Sequence, residues 1–193
     1  FLGLLVVVNS YRLADEQFTA AAVAAAAPAG STLYSSLSWQ PLAFNAPWQR
    51  RDSHMAYVWG DKLFMTGGLD ATDTFVGNSP VYEKATYFND IWQTADGINW
   101  QKVAEHGTLP PIRSMSFVEF KGKLYGIGGW GPTIGYNRVI WESADGVNWR
   151  IAKENAPFPA REGMRALVAN DKVYFFGGVN YERRETYDDV WVS

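Results

Sequence analysis

Two aspartates stand in nearly identical surroundings, TADGINWQ (94–101) and SADGVNWR (143–150). Asp serves as a general base or a metal ligand, so catalysis or metal binding are the first chemistries to weigh for Asp96 and Asp145. Asp followed directly by Gly is also turn chemistry. The carboxylate bonds backbone N–H groups just ahead of it, and the Gly accepts a positive φ. Asp96, Gly97, Asp145 and Gly146 are therefore expected to be structural turns. Three Gly-Gly pairs, Gly67-Gly68, Gly128-Gly129 and Gly177-Gly178, invite a phosphate-binding reading. None lies in G-x-x-x-x-G-K-[ST] or opens a helix, so close backbone approach is the expected reason for them.

Other chemistries fall away by residue type. The chain has no Cys, which excludes a disulfide, a thiolate metal site and a cysteine nucleophile. His54 and His106 are its only histidines; they have no H-x-x-x-H spacing, and no G-x-S-x-G is present. No catalytic residue, metal or cofactor is assigned. Net charge is -3 with no Lys/Arg block, which argues against a nucleic-acid partner. Aromatic residues make up 16% of the 193, enough for a packed core and favourable to strands.

The elements that must position these residues repeat. Trp92 and Trp141 are 49 residues apart, as are Trp100 and Trp149, and Trp191 begins a third copy 50 residues after Trp141. Upstream, GDKLFMTGG (60–68), KGKLYGIGG (121–129) and NDKVYFFGG (170–178) align without gaps. The first step is 12 residues longer than the second, and a loop insertion between Leu69 and Phe88 accounts for it. Each unit reads as strand, two-residue polar turn, strand ending in Gly-Gly, variable loop, Trp-bearing strand, ADG turn and a charged fourth strand. Four antiparallel strands in roughly 49 residues is the propeller-blade period.

These segments resemble the kelch repeat. The phrases NAPWQRR (45–51) and NAPFPAR (155–161), with [ST]-A-D-G-x-N-W, are similar to bacterial kelch-repeat proteins. The resemblance spans about residues 31–193. It implies an all-β, kelch-type β-propeller of four-stranded antiparallel blades, normally six or seven, with the ring incomplete in this chain. The expected organisation is an apolar and Ala-rich segment at 1–30, a partial blade hairpin at 31–44, blades at 45–106 and 107–154, and a partial blade at 155–193. FLGLLVVV (1–8) reads as a strand of a degenerate blade or as an export or assembly segment. A fragment, or several chains completing one ring, would explain the blade number.

The resemblance also implies that the residues before each first strand can face a central channel. Arg51, Arg113 and Arg161 stand there, with His54 and Arg165 nearby, although Arg113 is offset by one position. Such a ring could hold a carboxylate or acidic peptide through forked hydrogen bonds, or pair with blade neighbours instead. The loops after Gly-Gly carry Trp130, Tyr136, Tyr181, Arg183 and Arg184, residue types enriched at binding hot spots. The first expectation is a non-enzymatic recognition or structural module, outside the cytoplasm, binding protein or glycan through these loops. The second is a subunit of a cell-surface polymer, self-assembling through its apolar N-terminus to complete the propeller. The third is a sugar epimerase or mutarotase resembling kelch-fold sialic acid epimerases. Copper chemistry of the galactose oxidase kind needs a Tyr–Cys crosslink and is excluded.

Overall fold

Runs rich in Val, Phe, Tyr and Met become strands where two polar residues reverse the chain. β1 (Met55–Trp59) turns through Gly60-Asp61 into β2 (Lys62–Thr66). β5 (Ser116–Phe120) turns through Lys121-Gly122 into β6 (Lys123–Ile127), and β9 (Arg165–Ala169) through Asn170-Asp171 into β10 (Lys172–Phe176). In the latter two turns both central residues have positive φ, the type I′ sign pattern that matches strand twist. The third strands are β3 (Ile91–Thr94), β7 (Ile140–Ser143) and β11 (Val190–Val192). The fourth are β4 (Gln101–Ala104) and β8 (Trp149–Lys153). This computed structural model describes residues 39–193.

The strands form three antiparallel meanders, β1-β2-β3-β4, β5-β6-β7-β8 and β9-β10-β11. Register is the same in each: Met65, Gly126 and Phe175 stand opposite Trp92, Trp141 and Trp191. A β-bulge falls at the same place in the first two, between Ile91 and Trp92 and between Ile140 and Trp141. The first strands lie side by side and are stitched across blades. Ser114 N–H donates to Ser53 O at 3.0 Å, and Gly163 N–H to Ser114 O at 3.0 Å. The fold is an all-β propeller whose ring is not closed by the described residues.

The core lies between blades. One cluster joins Met55, Tyr57, Phe64 and Ile91 of the first blade to Ile112, Met115, Leu124 and Trp149 of the second. The other joins Val118 and Ile127 to Phe158, Met164, Ala166 and Phe175. Blades can pack this closely because Gly-Gly brings backbones together. Gly68 N–H donates to Ile112 O, and Gly129 N–H to Arg161 O, each at 2.9 Å. A Cβ on Gly68 would lie 2.5 Å from Asp52 O, and both glycines have positive φ.

The inserted loop is built rather than slack. Leu69–Asp70 pairs with Thr86–Tyr87, Phe75–Val76 with Ser79–Pro80, and a 3-10 turn covers Tyr82–Lys84. Residues 39–44 hold no strand. The expected segment 1–30, including FLGLLVVV, and the first residues of the expected hairpin at 31–44 lie outside the described residues.

Candidate functional site

The two Asp-Gly turns are closed hydrogen-bond knots. Asp145 Oδ1 accepts from Ser143 Oγ and from the N–H of Val147 and Asn148, while Oδ2 accepts from Asn148 Nδ2. Asp96 repeats each bond with Thr94, Ile98 and Asn99. Bonds from Asn99, then Ile98 and Thr94, hold Asp96 well below the usual carboxylate range. For Asp145, burial works against ionisation, yet the Asn148, Val147 and Ser143 bonds bring it down to about 2. A carboxylate so satisfied is a poor base at neutral pH. Among the described residues no cluster of His, Asp or Glu suits a metal ion.

Arg51 and Arg161 are likewise spent inside their blades. Arg51 forks onto Asp90 at 2.6 and 2.9 Å, bonds Gly67 O at 3.2 Å and lies over the Phe88 ring. Trp92 Nε1 donates to the same Asp90 at 2.7 Å. Arg161 repeats the arrangement with Asp189, Gly177 O, the Tyr187 ring and Trp191. Burial opposes ionisation of Asp90, and the bonds from Arg51 and Trp92 outweigh it, so its pKa is lowered. Both guanidiniums are almost wholly buried, and these pairs occupy them. At two of the three positions of the expected ring the guanidinium thus meets a carboxylate of its own blade, the pairing with blade neighbours that the sequence also allowed.

Arg113 is different. Its backbone pairs with Trp130, where Asp52 pairs with Leu69 and Glu162 with Val179. It therefore stands one position beyond Arg51 and Arg161, and Ile112 takes their place. From there it reaches across to the third blade. Nε and Nη2 donate to Glu162 Oε2 and Oε1 at 2.9 and 3.0 Å, a fork between buried side chains. The guanidinium lies 4.8 Å from the Tyr82 ring centroid and 4.9 Å from that of Trp130. Tyr136 OH donates to Glu162 Oε1 at 3.4 Å. Burial first, and the nearby Glu162, push the Tyr136 hydroxyl up and keep it a donor.

Around this pair opens a cleft of about 690 Å³. It brings together Arg113, Trp130, Tyr136 and Tyr181 from the sequence expectation. His54, Arg165 and Arg183 do not line it. His54 is exposed; Arg165 Nη1 donates to Met164 O at 2.9 Å; Arg183 is held by its backbone N–H to Asn180 Oδ1 at 3.1 Å. Sequence reasoning missed Tyr82, Glu83, Glu162 and Glu182, and the serines Ser53 and Ser114. One signal was present: the inserted loop and the third loop each contain Tyr-Glu, at 82–83 and 181–182. Ser53 and Ser114 have φ of 51° and 54°, conformations uncommon for a residue with a side chain and concentrated at functional sites.

No curated protein matches the chain. A family model described as the DUF6242 beta propeller domain matches residues 70–193, and it covers the second and third blades together with the inserted loop. With meander blades, inter-blade cores and this match, the chain belongs to the DUF6242 beta propeller domain family.

Proposed function

We propose that this propeller is a non-enzymatic recognition module, of kelch-repeat type, that binds a protein or glycan ligand in the cleft around Arg113 and Glu162. One observation carries the reading. The loops after Gly-Gly of three blades, which differ most between repeats, converge on a single concave surface with aromatic walls. Rigid aromatics around a buried, satisfied ion pair give a preorganised surface. Binding is favoured over sugar epimerisation by the engagement of Glu162 and by the make-up of the lining. Both Glu162 oxygens are taken by Arg113, and neither His54 nor His106 lines the cleft.

The test is to probe peptide and glycan arrays with the 193-residue chain and with Tyr181→Ala. Tyr181 is 68% exposed, so its truncation should leave melting unchanged while lowering the signal of true hits by about tenfold. Hits that ignore both Tyr181→Ala and Tyr82→Ala would overturn the reading.

A further inference from the structure

The cleft has two layers. On its floor the protein holds a guanidinium of its own: Arg113 lies between the Tyr82 and Trp130 rings and is forked by Glu162. The lining also holds two Tyr-Glu pairs whose carboxylates Arg113 does not match, Tyr82 belonging to both groups. Tyr82-Glu83 comes from the insertion in the first blade and Tyr181-Glu182 from the third, so two Tyr-Glu pairs flank the opening. Tyr82 and Tyr181 are 41% and 68% exposed, leaving ring surface for a ligand. Among the described residues neither Glu83 nor Glu182 makes a salt bridge. The lining thus carries three carboxylates against one guanidinium, and that guanidinium is already matched. Lys84 and Arg183 follow the two pairs in sequence but do not line the cleft.

An acidic ligand would meet unmatched negative charge here. A guanidinium or ammonium gains from both group types, through the ring quadrupole and through charge-assisted hydrogen bonds to carboxylate. We propose that the cleft takes a basic side chain, an arginine or lysine presented by a polypeptide partner, between the Tyr82-Glu83 and Tyr181-Glu182 pairs. This rests on the recognition reading above and names its ligand class. Ser53 and Ser114 also line the cleft and add hydroxyl groups to it.

The experiment is an NMR titration of the 193-residue chain with acetyl-Gly-Arg-Gly-amide, its citrulline isostere and a neutral cello-oligosaccharide. The Arg peptide should bind at least about tenfold more tightly than the citrulline peptide and weaken as salt rises. Glu83→Gln/Glu182→Gln should cost about tenfold in affinity for the Arg peptide. It leaves Arg113 and Glu162 untouched, so an unchanged melting temperature confirms that the fold is intact. Equal affinity for Arg and citrulline, or an unaffected double variant, would overturn the proposal. Binding of the oligosaccharide alone would also overturn it while leaving the recognition reading in place, whereas array hits that ignore both Tyr181→Ala and Tyr82→Ala defeat that reading itself.

Discussion

Asp145 accepts four hydrogen bonds from three residues within three positions of it, and its pKa falls from an ordinary 3.8 to about 2. A carboxyl depressed in the folded state stabilises the fold above the unfolded value and loses that contribution as pH falls through the folded one. The contribution is thus complete above pH 3.8 and lost toward pH 2. Asp145→Asn, which loses the acceptor facing Asn148 Nδ2, should cost about 1 kcal/mol at neutral pH. It should also flatten the decline of melting temperature between pH 4 and 2, as followed by circular dichroism. This geometry was legible in the sequence because every partner is local. Arg113 was not, since its partner Glu162 lies 49 residues away on another blade. Nor was the fate of Arg51 and Arg161 legible: a ring of arginines before successive strands looks the same whether their carboxylates come from a ligand or from Asp90 and Asp189.

Blades one and three share an Arg-Asp-Trp unit with a buried guanidinium, and blade two replaces it. Ile112 and Val139 stand where the ion pair would be, and Trp141 Nε1 is buried without a partner. The repeat unit therefore folds with either a charged or an apolar centre, as expected when a buried ion pair and a hydrophobic pair are close in free energy. Ile112→Arg alone should destabilise by about 3 kcal/mol, because it buries a charge without its partner, and Val139→Asp, at a half-buried position, should cost less. The double variant rebuilds the unit and gives Trp141 Nε1 an acceptor. It should recover about 2 kcal/mol relative to the sum, measured as a double-mutant cycle by denaturant unfolding. Additive losses would mean that the second blade does not share the geometry of its neighbours. Strand order, turns and Gly-Gly spacing were all legible in the repeat. The bulges before Trp92 and Trp141 were not, since no residue type marks them.

Three blades side by side place segments far apart in the chain on one concave surface. The 12-residue insertion in the first blade matters here because it carries Tyr82 over Arg113 of the second. The propeller was legible from its period, three lining residues from their loops, and Arg113 from its place before the first strand. The cleft itself was not, because which loops meet depends on the angle between blades, and that is set by the inter-blade cores. The most direct measurement is hydrogen–deuterium exchange of the 193-residue chain, with and without a ligand taken from the arrays. A ligand in the cleft should protect three separated segments together, around Tyr82, around Arg113 to Tyr136, and around Glu162 to Glu182. Protection confined to the outer strands Gln101–Ala104 and Trp149–Lys153 would contradict a site built by three blades.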